Sequence, residues 1–260
     1  MELHDILQTV HATEKTIDRH SPIPMYYQIM KQIREKIETG EYNIHNALPP
    51  ERELVETYQV SRMTVRQAIL ELVNEGILIR RKGVGTFVAP PKLEQELSGL
   101  TSFTEDMAKR GMKAGARVIS FGEVVPDTAV CETLGLHPHE HAYKCERIRL
   151  ADDEPMALET TLIATSVCPG LCREDLENSS LYTLLADRWR VRLGHATQTL
   201  EPFLASPFEA KLLHVSSGSP LLLMHRVTFD QDDHAFEYVK SFYRGDRYKF
   251  VTELHRTLGR

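Results

Sequence analysis

The sequence predicts an α+β chain of two domains, an N-terminal winged helix-turn-helix and a C-terminal antiparallel sheet with helices packed on it. Three observations predict this fold class. Two helical patterns and a glycine-containing hairpin follow one another within residues 48–88. Consecutive strand-like runs joined by short turns fill much of residues 98–260. Between the two regions, Pro90-Pro91 holds the chain extended and interrupts both kinds of pattern.

The first domain is expected to begin with an amphipathic helix. Ile29, Ile33 and Ile37 share one face of Met25–Thr39, and Gly40 is placed to end the helix. The expected divisions of the chain are a disordered tail (residues 1–20), the winged helix-turn-helix (21–89), a semi-rigid linker (90–97) and the larger domain (98–260).

Two further helices form the helix-turn-helix. Glu51–Tyr58 is the first, and Ser61 is a residue type that caps the start of the second. The apolar stripe of the second helix consists of Val65, Ile69, Leu72 and Val73. This stripe leaves Arg62 and Arg66, one turn apart, facing away from the core, where guanidinium groups suit phosphates and guanine edges.

A basic hairpin completes the unit. Ile77–Arg80 and Thr86–Val88 are strand-like, and the tip between them contains Lys82, Gly83 and Gly85. Such a tip suits the minor groove of DNA. Two alternatives remain open. Winged helices also mediate protein contacts, and Arg62 and Arg66 can be ordinary solvated charges on an exposed helix face.

Charge is distributed in a way that agrees with DNA binding. The chain has a formal net charge of −6, but residues 21–92 carry ten Lys and Arg against eight Asp and Glu. The DNA-binding region is therefore weakly basic, and the acidic remainder discourages non-specific binding.

The segments Ser61–Arg66 and Arg80–Val88 closely resemble the recognition helix and wing of the GntR family of bacterial transcription regulators. The preceding LPPERELV segment departs from the family pattern at Pro50, which stands where Ser is usual. The resemblance implies binding to double-stranded operator DNA. One winged helix contacts only a short half-site, so we expect a homodimer on an inverted repeat. The resemblance places the DNA contacts at Arg52, Ser61, Arg62, Thr64, Arg66, Lys82, Gly83 and Gly85.

The second domain alternates helices and strands. The predicted helices are Ser102–Arg110, Asp127–Leu134, Leu181–Arg188 and Phe208–Leu213. The predicted strands are Arg117–Val124, Ala142–Leu150, Pro155–Ala164, Gln198–Leu204, Leu221–Phe229 and Ala235–Tyr243.

One predicted hairpin brings charged side chains to one sheet face. Its apolar residues match when Ile148 faces Leu158 and Leu150 faces Met156, which requires a three-residue turn. This register places Arg147 opposite Glu159 and puts Arg149 on the same face. Two arginines beside a carboxylate suit an anionic, hydroxyl-bearing ligand. A plain cross-strand salt bridge is the alternative.

Two hydroxyl-rich segments precede helices in this domain. Asn178-Ser179-Ser180 and Leu100–Thr104 offer hydroxyls and free backbone amides, which suit phosphate but also serve as ordinary helix caps. Glu237 and Tyr243 have the same parity on the last predicted strand, so both can face a pocket, although either can equally lie at the surface.

The region from about Leu97 onward resembles the UTRA effector domain of the HutC subfamily, whose fold is similar to chorismate lyase. The segments 99–107, 147–150, 155–159 and 243–248 look closest to repressors of N-acetylglucosamine utilisation, which implies glucosamine 6-phosphate or N-acetylglucosamine 6-phosphate as effector. The positions matching phosphate-binding residues are Ser102, Phe103, Thr104, Arg147, Arg149, Ser180 and Tyr182. Those matching sugar-binding residues are Glu159, Glu237 and Tyr243.

Other functions find less support. A HutC-type sensor of urocanate or another small acid is the closest alternative. The sequence has no G-x-S-x-G elbow and no phosphate-binding glycine loop, so a lyase-like enzyme is not expected. His137, His139 and His141 are expected to be solvated, and neither metal nor cofactor is expected. The four cysteines, Cys131, Cys145, Cys168 and Cys172, are expected to be buried and reduced, and a cytoplasmic protein without membrane contact is expected.

Overall fold

The computed structural model describes residues 17–44, 46–81 and 83–254. The chain divides into two compact units between Pro91 and Lys92. The first unit contains α1 (Met25–Glu38), α2 (Glu51–Tyr58), α3 (Arg62–Asn74), β1 (Leu78–Arg81) and β2 (Gly85–Val88).

The helices of the first unit enclose a single core. Ile29 and Ile33 of α1 pack with Leu54 of α2 and with Val65 and Leu72 of α3, and all five side chains are buried. The wing strands pair antiparallel, with Leu78 opposite Val88. The predicted helices and wing are thus present with shifts of one or two residues at their ends.

The chain before α1 differs from the predicted tail. Residues 1–16 lie outside the described residues, but Ile17 is buried in the core of the first unit. The next residue, Asp18, is exposed, and its backbone N–H donates to Gln28 Oε1 at 2.9 Å. Arg19 Nη2 donates to the carbonyl of Gln59 at 2.6 Å. Ile17 therefore anchors residues 17–20 to the core. The polar residues around it are the reason that the sequence resembled a tail.

The second unit is built on one large sheet. It contains β3 (Leu93–Glu96), α4 (Phe103–Lys109), β4 (Ala114–Val124), α5 (Thr128–Leu134), β5 (Ala142–Ala151), β6 (Glu154–Ala164), α6 (Arg173–Asn178), α7 (Leu181–Arg188), β7 (Leu193–Leu204), α8 (Pro207–Leu213), β8 (Pro220–Asp230), β9 (Ala235–Arg244) and β10 (Tyr248–Val251). Six antiparallel strands run in the order β4-β5-β6-β9-β8-β7.

Apolar clusters cover both faces of this sheet. On one face, Ile148, Leu158 and Phe242 pack against Leu213 of α8. On the other, Met156 and Tyr243 share a cluster with Met107 of α4. The second face also carries the polar side chains described below.

The predicted linker is partly a strand. Within residues 90–97, Leu93–Glu96 forms β3 and pairs parallel with β10, so that Leu93 aligns with Tyr248. Lys249 Nζ bonds Glu94 Oε1 at 2.6 Å across this pair. The pairing partner lies at the far end of the chain, so the local sequence gave no sign of it.

The β5–β6 hairpin confirms most of the predicted register. Arg147 pairs with Glu159, Ile148 with Leu158 and Arg149 with Ala157. The turn prediction was wrong: Leu150 pairs with Pro155 after a bulge, and two residues, Asp152 and Asp153, form the turn at φ 47° and 65°. Aspartate tolerates this left-handed conformation, and a two-residue turn of this kind matches the twist of the strands.

Candidate functional site

The start of α3 is fixed by its cap. Ser61 Oγ accepts a hydrogen bond from the Thr64 backbone N–H at 3.1 Å and lies 2.8 Å from Thr64 Oγ1. Ser61, Arg62 and Arg66 are all exposed. The helix therefore presents its first turn, with both guanidinium groups, to solvent.

One acidic residue links the helix to the wing. Glu51 lies 3.7 Å from Arg62 Nε and 3.1 Å from Arg80 Nη2. The Arg62 side chain is 79% exposed, so this pair contributes little stability and can exchange for a phosphate. Arg52 is similarly exposed beside Glu56, at 3.2 Å.

The wing tip requires unusual backbone angles. Gly83 and Gly85 have φ of +75° and +147°, a region that side chains disfavour. A Cβ at Gly85 would lie 3.3 Å from the Cβ of Ala47. Lys82, predicted to contact DNA, lies outside the described residues.

The second unit contains a pocket of about 620 Å³, counted to its open mouth, on one face of the large sheet. We call it the central pocket. Its lining residues are Gln95, Thr101, Ser102, Phe103, Asp106, Arg147, Arg149, Glu159, Ser180, Leu181, Tyr182, Met224, Arg226, Glu237, Val239, Tyr243 and Phe250.

Strand register explains the floor of the central pocket. Arg147 on β5 aligns with Glu159 on β6, and Glu159 with Ser241 on β9. Arg149 is two residues along β5 from Arg147, so both guanidiniums start from the same sheet face.

Arg147 and Glu159 form a buried ion pair. Arg147 Nε and Nη2 both lie 2.6 Å from Glu159 Oε1. Burial alone would lower the pKa of Arg147, but the Glu159 carboxylate more than offsets it and keeps this pKa above its usual value. Burial would likewise raise the pKa of Glu159, yet the two arginines hold it below its usual value. The pair is therefore charged on both sides.

Arg149 is buried with much weaker compensation. Its guanidinium lies over the Phe103 ring, 4.6 Å from the centroid, and Nη2 reaches Thr104 Oγ1 at 3.4 Å. Burial, together with repulsion from Arg147, lowers its pKa from 12.5 to about 10. It remains a cation at neutral pH and exerts its charge on the pocket.

Polar groups on three elements meet at Glu237. Glu237 Oε2 accepts hydrogen bonds from the Tyr182 hydroxyl at 2.9 Å and from Thr228 Oγ1 at 2.8 Å. Burial raises the pKa of Glu237, and these two hydrogen bonds offset the rise only in part. Burial also raises the pKa of Tyr182, which therefore stays a neutral donor.

The two hydroxyl-rich helix starts differ. Ser102 forms a capping box with Glu105, accepting from its backbone N–H at 3.2 Å. Ser180 precedes α7 without making a side-chain cap, and its buried Oγ has no hydrogen-bond partner among the described residues. Ser180 is therefore available to a ligand in a way that Ser102 Oγ is not.

The structure brings the predicted pocket residues together. Nine of the ten residues expected to contact the ligand line the central pocket. The tenth, Thr104, is hydrogen-bonded to Arg149, which does line it. Two of the nine, Glu237 and Tyr243, line it from β9, which is not the last strand because β10 follows it.

Sequence reasoning missed other lining residues. Arg226 on β8 is held by Gln198 on β7, and Asp106 accepts a hydrogen bond from Thr101 Oγ1 at 2.8 Å. Phe250 of β10 is a further aromatic lining residue, and its ring centroid lies 5.8 Å from that of Tyr243. For Arg226 the sequence did offer one signal. It follows Met224 by two residues in a predicted strand, so the two side chains lie on the same sheet face.

Several residues that line the central pocket carry buried donors without partners. Arg147 Nη1 and Arg149 Nε are buried and, in the part of the chain that the structure describes, have no hydrogen-bond partner; Ser180 Oγ is the third such group. Leaving buried donors unpaired is costly, more so for charged ones. An anion with several oxygen atoms offers the kind of acceptor that these donors lack.

The predicted histidine segment is exposed, as expected for a solvated loop. Another group, Asp230, Asp232 and His234, has its candidate ligand atoms within 4.8 Å of one another at the β8–β9 turn. Asp230 Oδ1 already accepts the backbone N–H groups of Asp232 and His234, both at 2.9 Å, which accounts for the cluster as turn structure.

Cysteine burial matches the prediction for only two of four residues. Cys145 and Cys168 are buried, whereas Cys131 and Cys172 are partly exposed, and all four are free thiols. Burial raises the pKa of Cys145 to about 11, so this thiol is unreactive. Across the described ranges, no helix is both long and apolar enough to span a membrane.

Two family models match the chain. The model described as "Bacterial regulatory proteins, gntR family" covers residues 25–88, and the model described as "UTRA domain" covers residues 109–249. The first match lies within the N-terminal unit and the second within the C-terminal unit.

Individual proteins match over nearly the full chain. The sequence is 45% identical over 240 residues to the HTH-type transcriptional repressor NagR of Bacillus subtilis, covering 92% of this chain and 98% of that protein. It is 32% identical over 235 residues to the HTH-type transcriptional repressor PhnF of Mycolicibacterium smegmatis, covering 90% and 95%. The crystal structure of PhnF from Mycobacterium smegmatis superposes with a TM-score of 0.62 at 33% identity, over 88% of this chain and all of that one.

Proposed function

Because the chain belongs to the GntR family of bacterial regulatory proteins and carries a UTRA domain, we propose that it represses amino-sugar uptake and catabolism genes until glucosamine 6-phosphate or N-acetylglucosamine 6-phosphate releases it from its operator. The relatives named above are transcriptional repressors, and this chain is a DNA-binding regulator, not an enzyme. The amino-sugar assignment rests on the motif resemblance and on the likeness to NagR.

The observation that carries the effector proposal is the set of unpaired donors in the central pocket. Arg147 Nη1, Arg149 Nε and Ser180 Oγ are buried donors, and two of them belong to cations. A phosphate has enough acceptor oxygens for all three and enough charge to compensate Arg149. A single carboxylate, as in urocanate, has two oxygens and half the charge.

The remaining polar groups suit a sugar. Glu159 and Glu237 present carboxyl oxygens, and the Tyr243 hydroxyl adds a group that both donates and accepts. Aromatic rings beside such groups are typical of sites that bind a sugar ring with its hydroxyls. A phosphorylated sugar therefore fits the pocket better than a purely apolar acid does.

We propose that the DNA-binding form is a homodimer on an inverted repeat. One winged helix contacts only a short half-site, so two copies are needed for useful affinity and specificity. Arg62, Arg66 and the wing supply the contacts of each half. A monomer in analytical ultracentrifugation at micromolar concentration, binding one half-site with full affinity, would refute this part.

Release is proposed to work through the chain that joins the two units. Gln95 of β3 lines the central pocket and lies only a few residues after the division at Pro91. A ligand that contacts this strand can favour one arrangement of the joining segment. It shifts DNA binding only as far as its affinities for the two arrangements differ.

Calorimetric titration of the purified full chain tests the effector. The ligands are the two amino-sugar phosphates, their unphosphorylated sugars and urocanate. We expect binding of both phosphates, little binding of the free sugars and none of urocanate. Arg117→Met, which removes an exposed arginine from the neighbouring strand β4, is the control and should bind like the native chain. Equal binding of phosphorylated and free sugars, or preference for urocanate, would contradict the proposal.

A further inference from the structure

We propose that Arg226 recognises the substituent at carbon 2 of the bound sugar phosphate, and that it makes the central pocket favour the N-acetyl form over the free amine. This inference rests on the proposed function and adds a specificity-determining residue that lies outside the motifs discussed above.

Arg226 shares the sheet face of the other two pocket arginines. It aligns with Val239 on β9, which aligns with Thr161 on β6 and, through it, with Cys145 on β5. Cys145 is two residues from Arg147, so all three arginines start from the same face. Three strand spacings separate β8 from β5, about 14 Å. The Arg226 backbone therefore lies on the β8 side of the central pocket, three strands from the β5 backbone of Arg149.

Neutral acceptors hold the Arg226 side chain in place. Gln198 Oε1 accepts from Nε at 2.9 Å and from Nη2 at 2.7 Å, and the carbonyl of Thr101 lies 3.5 Å from Nη1. Within the described ranges Arg226 has no carboxylate ion pair, unlike Arg147 with Glu159. Its guanidinium is thus oriented by neutral groups, Glu237 compensates its charge without a direct ion pair, and its Nη1 retains hydrogen-bonding capacity.

Hexose geometry connects the two ends of the pocket. Carbon 2 and carbon 5 lie opposite each other in the six-membered ring, and the phosphate is attached through carbon 6 to carbon 5. With the phosphate at Arg147 and Arg149, the carbon-2 substituent points toward the Arg226 end. An acetamide carbonyl accepts a charge-assisted hydrogen bond from guanidinium. A protonated amine has no lone pair to offer and is repelled.

Glu237 does not reverse this preference. One of its oxygens already accepts hydrogen bonds from Tyr182 and Thr228. Its burial also favours the neutral carboxyl, which weakens its attraction for an ammonium group. A neutral acetamide, with one donor and one acceptor, suits a site made of a guanidinium and a hydrogen-bonded carboxyl.

Three probes separate the contribution of Arg226 from that of the phosphate site. N-acetylglucosamine 6-phosphate, glucosamine 6-phosphate and glucose 6-phosphate are titrated calorimetrically at about pH 6.5, where the amine is protonated. We expect the native chain to bind the N-acetyl form at least about 10-fold tighter than the amine. Arg226→Met should weaken the N-acetyl form about 10- to 100-fold and bring the ratio of the two dissociation constants near one, with glucose 6-phosphate changed less than about threefold.

Gln198→Leu provides a second test that keeps the arginine but removes its main acceptor. Gln198→Leu should reduce the ratio of the dissociation constants of the amine and N-acetyl forms and leave glucose 6-phosphate binding intact. The Arg226 proposal is overturned if the native chain prefers the amine, if either variant leaves the ratio unchanged, or if Arg226→Met weakens all three ligands equally. Failure of the native chain to bind any of the three would instead overturn the proposed function.

Discussion

Replacing Arg149 with methionine should stabilise the protein while removing its response to sugar phosphate. Arg149 is buried, and its side-chain hydrogen bond to Thr104 is long at 3.4 Å. Methionine keeps most of the apolar stem against Phe103 and removes the buried charge. A residue retained for folding would not behave in this way, but a residue retained to bind an anion would.

The magnitude follows from the depressed pKa. Lowering the pKa of Arg149 from 12.5 to about 10 corresponds to a penalty on the folded state of about 3 kcal/mol at 1.36 kcal/mol per pH unit. The folded pKa lies below the unfolded one, so the penalty is present in full below pH 10 and is relieved only as the pH rises from there. Allowing for lost ring contact, we expect a net gain of about 1–3 kcal/mol, or a Tm higher by roughly 2–10 °C.

Thermal unfolding with and without N-acetylglucosamine 6-phosphate measures both effects. The ligand should raise the Tm of the native chain and leave that of Arg149→Met unchanged. Arg147→Met is the matched comparison: it strands the buried Glu159 carboxylate and should destabilise by about 3–5 kcal/mol. If Arg149→Met lowered the Tm as Arg147→Met does, or if the ligand still stabilised it, the reasoning would be refuted.

Three further predictions concern Ser61, Arg66 and Glu237. Ser61→Ala should lose the cap on Thr64 and cost about 1 kcal/mol of stability in urea unfolding, and an unchanged midpoint would contradict the assigned cap. Arg66→Ala should weaken operator binding by about 1–3 kcal/mol in fluorescence anisotropy while Arg117→Ala does not, and equal effects of the two would show that the α3 face is misassigned. Glu237→Gln should flatten the pH dependence of stability. Because the pKa of Glu237 is raised in the folded state, the stability of the native chain should fall as the pH rises above the ordinary value of 4.5. Parallel curves of Tm against pH for the two proteins, up to neutral pH, would contradict this.

Local signals predicted the elements that have them. α2 and α7 have the predicted ends, and Ser61 caps α3 as its residue type indicated. The pairing of Arg147 with Glu159 followed from apolar alternation alone, because a slip by one residue would reverse the faces of both strands.

Long-range pairing left no local signal. β10 is only four residues long, and its partner β3 lies near the start of the second unit, so neither looked like a strand. For the same reason Arg226 was missed: its place in the pocket depends on β8 lying next to β9, and strand order cannot be deduced from one strand's own pattern. The Asp152-Asp153 turn did have a local signal, because aspartate is a residue that tolerates left-handed backbone, but the apolar match outweighed it.

The most direct test of the account is the coupling between operator and effector in the full chain. An inverted-repeat duplex selected from random DNA is titrated by anisotropy with and without N-acetylglucosamine 6-phosphate, and the sugar phosphate is titrated by calorimetry with and without the duplex. We expect each ligand to weaken the other by the same factor, about 5- to 150-fold, since the coupling free energy is reciprocal. Tight binding of the sugar phosphate that leaves operator affinity unchanged would contradict the central claim that the pocket controls DNA binding.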